Sequence, residues 1–397
     1  MADSIHTCRW VNQVTDQGWD VHLFPVASGG IHPDLKNATV HGLLNRRTPG
    51  LSRSVRVKGI KWPCRRGIGL ADYALQMAAK SFTCVDRAHC LANAVRRLKP
   101  DIIQSLEIQH AGYLTLDANN LLDGQFPPWI VTNWGSDIYL FGRLADHVDR
   151  IKKVLTACDY YSCECQRDVQ LARQMGLKGE VLPVLPNSGG FDLTRVAQFR
   201  QPGPTSQRRL ILLKGYTGWA GRALVGLRAI ALCAKELKGY GIAVYLANED
   251  VRIAAELVSG SAGIPVEVMP YCSHEDMLRH FGRARISIGL SISDAISTTL
   301  LEAMVMGAFP IQSCTSCADE WIIHGQNGFI VPPEDPEPIA AALRQAVADD
   351  ALVDRAAALN AQLARERLDQ ALIKPQVIAM YEKIAAQSRK KKGPANL

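Results

Sequence analysis

The feature that most constrains this chain is an alternation of strand-length apolar runs with amphipathic stretches, present in both halves. In the first half the runs are "WDVHLFPV", "DIIQSLE", "PWIVTNWG", "YYSCE" and "EVLPVLPN", with "LADYALQMAAKSF", "HVDRIKKVLTAC" and "RDVQLARQMG" between several of them. In the second half they are "RRLILLKG", "IAVYLAN", "VEVMPY", "ISIGLS", "FPIQS" and "GFIVP", separated by segments such as "GRALVGLRAIALCAKEL" and "HEDMLRHFGRA". Near-continuous apolar strands joined by helical crossovers predict parallel sheets covered on both faces. Because the pattern occurs twice in 397 residues, the expectation is an α/β chain of two doubly wound, Rossmann-like domains.

The join falls between Pro186 and Arg208, where "PNSGGFDL" is turn-rich and "RQPGPTSQRR" is polar. The predicted division is residues 1–190, a linker at 191–207, a second domain at 208–368, a last helix at 369–388 and a basic tail at 389–397. The start is unusual. A helix-like "SIHTCRWVNQVTDQG" comes where a doubly wound domain opens with a strand, so either the first strand is missing or the start lies upstream.

No apolar run approaches the roughly 18 residues that span a bilayer, and "MADSIHTCRW" lacks the layout of a signal peptide. The expected location is the cytoplasm. Eleven cysteines without a framework suit reduced thiols. Cys314-x-x-Cys317 has no second pair at zinc-ribbon spacing, and Cys163 and Cys165 read as core, so no metal is expected. Charge is localised: residues 35–71 hold nine Lys/Arg and no acid, and Arg389, Lys390, Lys391 and Lys392 follow at the tail. These thirteen exceed the net charge of +7, so the rest of the chain is net acidic. Localised positive charge predicts a localised anionic partner. Around "RVKGIKWPCRRG", where Ile60 and Trp62 interleave with the cations, an interfacial anchor and a solvated face are both open.

The chemistry concentrates in "SDAISTTLLEAMVMGAFPIQS". Asp294 and Glu302 stand with seven residues between them, around Ser297, Thr298 and Thr299, at the C-terminal end of the strand "ISIGLS". Ligands of open α/β sheets bind at that end. The helix start near Thr298 offers unpaired N–H groups and a positive dipole end, an anion site, with Ser297 as N-cap. A nucleotide sugar would place phosphate there and hydroxyls on either side. Ordinary capping by Glu302, with Asp294 solvated, explains the same spacing.

The run from Ser293 through "DEWIIHGQNGFIVPPEDPEPIAAAL" resembles the C-terminal signature of family 4 glycosyltransferases, retaining enzymes of GT-B fold and here of the bacterial surface-polysaccharide type. The likeness runs in order and spacing from Ser293 to Leu343. It implies two Rossmann-like domains facing a central cleft, the last helix crossing back to the N-terminal domain. It also implies transfer of a sugar from a UDP- or GDP-sugar to an acceptor hydroxyl, without a metal or other cofactor. Glu302 would bind the ribose hydroxyls. Asp294, standing where the family has its first glutamate, would contact the sugar.

Further positions extend the likeness. The loop "KGYTGWAGR" would hold the diphosphate through Lys214, Gly215 and Arg222, its Gly-x-x-Gly-x-x-Gly spacing differing from a dinucleotide fingerprint. "MPYCSHEDM" would place Tyr271 and Cys272 beside the nucleobase, although Tyr271 also reads as core. "VTNWGSDI" is similar to the family's "T.HGSD" loop, with Trp134 in place of histidine. It would bring Trp134, Ser136 and Asp137 to the acceptor with His6. His110, in "LEIQHAGY", is either a structural histidine or a cleft group. Asp294, Glu302 and His110 are the expected catalytic residues. The basic N-terminal stretch suggests a lipid-linked or otherwise anionic glycan acceptor and a peripheral contact with an anionic membrane, and no nucleic acid. Two other readings share the sequence: a nucleotide-sugar epimerase of the same fold, and a catalytically weak binding subunit of a polysaccharide assembly complex.

Overall fold

The structure, a computed structural model, describes residues 2–27, 29–44, 48–60, 86–122, 124 and 126–391. The expected helix "LADYALQMAAKSF" and the cations Arg46, Arg47, Lys61, Arg65, Arg66 and Lys392 lie outside them, as does Trp62. The chain divides into two compact units. One comprises residues 1–163, 169–189 and 374–397, and the other 164–168 and 190–373. The segment 191–207, read from sequence as a linker, belongs to the second unit and carries the Leu193–Ala197 helix, whose start Asp192 caps by accepting from Arg195 N at 2.9 Å.

The first unit holds two parallel sheets. One has the order β1 (His22–Leu23), β2 (Thr39–Leu44), β3 (Arg56–Ile60). The other has the order β4 (Ile103–Leu106), β5 (Trp129–Thr132), β6 (Tyr160–Ser162), β7 (Glu180–Val181). A single sheet was expected. No described strand joins β1 to β4; the first described element is instead the Ile5–Asn12 helix. Leu23 of β1 and Leu106 of β4 nevertheless pack against the same apolar cluster as Val40 and Leu35. β2 and β3 were not anticipated, because they lie within the basic stretch. Arg56 and Lys58 alternate with Val57 and are exposed on β3, the form in which charges protect a sheet edge. Around β4–β7, Trp129, Val131 and Tyr161 pack with Ile151, Val154 and Leu155 of the Ala145–Ala157 helix. The last helix, Gln370–Lys391, joins this unit from Lys374 onward. Its Tyr381 hydroxyl accepts from Trp10 Nε1 at 2.9 Å, and Tyr160 Oη donates to its Gln387 at 2.7 Å.

The second unit is one six-stranded parallel sheet of order β10-β9-β8-β11-β12-β13. Its strands are β8 (Leu210–Lys214), β9 (Gly241–Tyr245), β10 (Val266–Val268), β11 (Ala284–Gly289), β12 (Phe309–Ser313) and β13 (Phe329–Val331). Successive side chains reach opposite faces, and both faces are covered. Ile211 and Leu213 enter one core while Leu212 enters the other, which is why the run is apolar at every position. Arg285 is the exception in β11. It is fully buried and donates to the carbonyls of Ala346 and Val347 at the end of the Pro336–Ala348 helix, and to Ser206 O at 2.6 Å. The strand order reverses between β8 and β11, and outside the carboxyl ends of those two strands a doubly wound sheet leaves a crevice. No helix among the described residues is long and apolar enough to cross a membrane.

Candidate active site

In the second unit, the loops after β8 and β11 meet at the strand-order reversal. They are tied by Arg222 N donating to Leu290 O at 3.0 Å and Ile292 N to Ala220 O at 2.9 Å. The first loop requires small residues. A Cβ on Gly215 would lie 2.8 Å from Tyr245 O, and one on Gly221 only 2.0 Å from Tyr216 O. The Thr298–Met306 helix starts at the mouth of these loops. Ser297 is its N-cap by position but makes no side-chain cap, contrary to expectation; its hydroxyl and that of Thr299 lie 2.9 Å apart. The first backbone N–H groups of this helix therefore have no capping side chain at Ser297.

Asp294 sits on the rim of this helix start. Its Oδ1 accepts from Ala295 N at 2.9 Å, and its carbonyl accepts from Arg167 Nη2 at 2.7 Å. Burial pushes its carboxyl above the usual carboxylate range, opposed by the nearby Lys214 charge, the Ala295 N–H and Arg167. Glu302 is buried within the helix, and its Oε1 is 2.8 Å from Nε2 of His274, the first residue of the His274–Arg283 helix. That contact replaces the capping role open from sequence. Of the two expected cations, Lys214 is the one whose charge acts on the Asp294 carboxyl, and its Nζ lies over the Tyr216 ring, 5.7 Å from the centroid. Arg222 pairs instead with Glu334 at 3.1 Å and with the carbonyl of Gly221 at 3.0 Å. Tyr271 is 94% exposed and so is no core residue. Cys272 beside it is half-buried, and burial raises its thiol.

Arg167 was not anticipated. It precedes the buried Asp168, pairs with it at 2.8 Å, and also donates to Thr315 O at 3.1 Å. The backbone N–H groups of Gln166 and Arg167 both donate to Glu320 Oε1, at 2.8 and 3.3 Å. One short segment thus holds both the Asp294 loop and the 315–320 turn. Nothing in "CQRDVQ" signals this from sequence, because the partners in those two loops, Asp294, Thr315 and Glu320, are more than 120 residues away.

In the first unit, the loops after β4 and β5 are neighbours because the strands are. Glu107, at a φ of 90°, leads into a π-turn at Ile108–Gly112, a feature that collects at functional sites. Its carboxylate accepts from His110 N at 2.9 Å and Ala111 N at 3.3 Å, and lies 2.9 Å from His110 Nδ1. His110 is held by a carboxylate and remains largely exposed. Asp137 is a correction: it is buried, and its Oδ2 accepts from Ile108 N at 3.0 Å and Trp134 N at 3.2 Å. It fastens the two loops together rather than lining an open surface. Burial, then the Glu107 charge, pushes its carboxyl up to about 7, against the pull of the backbone N–H groups. Ser136 begins the short Ser136–Tyr139 helix. The rings of His6 and Trp134 meet edge to face with centroids 5.8 Å apart, and the buried Trp134 Nε1 has no hydrogen-bond partner.

Residues 259–363 match the sequence model of the family described as glycosyl transferases group 1. A comparison with curated protein sequences gives no match. Among solved structures, sucrose-phosphate synthase from Thermosynechococcus elongatus aligns over 96% of this chain and 93% of its own, with a TM-score of 0.67 at 14% identity. Anabaena HepE in complex with UDP and glucose aligns over 92% and 99%, with a TM-score of 0.64 at 12% identity. The fold is GT-B. A UDP-forming trehalose-phosphate synthase from Burkholderia xenovorans gives a TM-score of 0.59 at 14% identity, over 81% of each chain. In this GT-B chain the family match covers the second unit's Asp294–Glu302 signature but neither Lys214 nor Arg167. The structure alone brings those cations to Asp294.

Proposed function

We propose that the protein transfers a sugar from a nucleotide-diphosphate-sugar donor to an acceptor hydroxyl, with retention at the anomeric carbon. The observation that carries this reading is the grouping of Lys214, Asp294 and the Thr298–Met306 helix start at the switch between β8 and β11, with Glu302 inside that helix. In this reading the helix start and Lys214 hold the diphosphate and stabilise the charge that grows on it as the glycosidic bond breaks. Glu302 accepts from the ribose hydroxyls and Asp294 from those of the sugar. A positive end built of ammonium and backbone N–H groups supplies the charge that a metal would otherwise bring, so metal-independent transfer is part of the proposal. Arg222 has a lesser part than the sequence suggested, since Glu334 neutralises it.

Uridine diphosphate is the first donor base to test, because HepE was solved with UDP and glucose and the trehalose-phosphate synthase is UDP-forming. On the first unit, Trp134 with its unpartnered N–H, and His110 held by Glu107, are the groups proposed to meet the acceptor. The basic stretch, with Arg56 and Lys58 exposed on β3, supports an anionic or lipid-linked glycan acceptor in surface-polysaccharide assembly.

The deciding experiment is thermal shift against uridine and guanosine diphosphates and their sugars. Binding to the native state raises the melting temperature by linkage. Stabilisation by one base that is lost in Glu302→Ala supports the reading; no response to any nucleotide sinks it. Turnover of the donor sugar to an isomer without acceptor would favour the epimerase instead. Co-sedimentation with anionic liposomes that ignores salt would remove the membrane part of the proposal.

A further inference from the structure

Two thiols far apart in sequence meet inside the second unit, and no part of the proposed reaction uses them. Cys165 and Cys317 are both buried, and their Sγ atoms are 2.9 Å apart. Asp168 completes a buried group with them, its carboxylate within 4.8 Å of both sulfurs. Cys317 has a φ of 28°, a left-handed conformation that a side-chain-bearing residue adopts only at a cost. The surroundings are apolar: both cysteines belong to the cluster that contains Phe281, Leu301 and Trp321.

Two chemistries suit such a group, a thiolate metal site and a disulfide. Thiolates about 2.3 Å from one tetrahedral zinc stand about 3.8 Å from each other, well beyond the spacing here. Asp168 is moreover engaged by Arg167 at 2.8 Å, and a closed structural zinc site takes four ligands. A disulfide needs no further ligand and brings no charge into this apolar cluster.

We propose that Cys165 and Cys317 form a reversible disulfide when a peroxide is supplied, stapling the Arg167 segment to the 315–320 turn. In the step, both S–H bonds break and one S–S bond forms. The two electrons and two protons pass to hydrogen peroxide, whose O–O bond breaks to give two waters. The segment tied down is the one that already holds Asp294 O, Thr315 O and the Glu320 carboxylate. The cross-link closes a loop of about 150 residues, long enough for a sizeable stabilising effect.

The test treats the full, folded chain with hydrogen peroxide, blocks remaining thiols with N-ethylmaleimide, and maps peptides without reduction. The expected result is a linked peptide pair joining Cys165 to Cys317, reversed by dithiothreitol, with a melting temperature raised by about 5 °C. Cys317→Ala loses the link and the shift, while Cys314→Ala, at the exposed neighbouring thiol, keeps both. Far-UV circular dichroism of each variant establishes that it folds. A link to Cys314 or Cys163 in place of Cys317 or Cys165, or no link while exposed thiols oxidise, overturns the proposal. So does about one zinc or copper ion per chain in protein purified without chelator, absent from Cys165→Ala.

Discussion

The imidazole Nε2 of His274 lies 2.8 Å from Oε1 of Glu302, so the carboxylate proposed to read the ribose is oriented by a side chain from the neighbouring helix. Glu302 is buried, whereas the His274 side chain is 42% exposed, which leaves the imidazole beside any ligand that reaches the carboxylate. Glu302→Ala is expected to weaken uridine diphosphate binding by about 100-fold, the worth of charge-assisted hydrogen bonds to a buried acceptor. His274→Ala removes only the orientation and is expected to weaken it by about 5- to 10-fold. Isothermal titration of both variants checks the order. An effect of His274→Ala as large as that of Glu302→Ala would mean that the imidazole itself contacts the ligand.

Asp294 predicts a pH limb. Burial raises its carboxyl, so protonation begins at a higher pH than for an ordinary aspartate. If the charged form accepts from the sugar, kcat falls as pH drops through that raised value. Asp294→Asn is expected to lower kcat by about 100-fold and to abolish the acidic limb, with uridine diphosphate affinity changed less than about 3-fold. A pH–rate profile that keeps its acidic limb in the variant would assign the limb to another group.

Asp137 predicts a stability effect of the opposite kind. Its folded value is raised to about 7 from the ordinary aspartate value near 3.8, so between those values the native state binds more protons than the unfolded chain. Stability is greatest below about pH 4 as far as this group is concerned, falls as pH rises toward 7, and levels off above. Asp137→Asn keeps an oxygen for the Ile108 and Trp134 N–H groups and removes the charge. Melting temperatures measured from pH 5 to 8 are expected to decline less in the variant than in the wild type.

Arg167→Ala leaves the fully buried Asp168 without its guanidinium and releases the carbonyls of Asp294 and Thr315. Breaking a buried pair from one side costs about 3–5 kcal/mol. Urea denaturation is expected to show that loss, and Arg167→Ala combined with Asp168→Ala to recover part of it. Recovery of stability without recovery of transfer would separate the ion pair from the support that Arg167 gives to Asp294.

The second unit was the more legible of the two. Its central strands are mostly apolar because both faces are buried, and all but β12 are followed by a helix long enough to show its period. The Asp294–Glu302 spacing was likewise readable, since both acids lie on one loop and helix. The first unit was harder. β2 and β3 are one-sided and basic, so their charges masked the alternation of Val57 with Arg56 and Lys58. Its sheet is divided where a single one was expected. Glu107 attracted no attention because a lone carboxylate beside a histidine has no pattern until the backbone turns its carboxylate onto His110.

By itself the sequence determined the α/β class, the two-fold alternation, and the stretch from Ser293 to Ser313 as the place where chemistry would be sought. Those are properties of period and local spacing, which residues close in the chain impose on one another. Only the tertiary structure decided which groups serve that stretch. It turned Arg222 toward Glu334, left the Lys214 charge acting on Asp294, and set Arg167 and His274 against Asp294 and Glu302. It also brought Cys165 to Cys317 across 152 positions. Such contacts arise where packed strands and helices close long loops, and short-range pattern carries no trace of them.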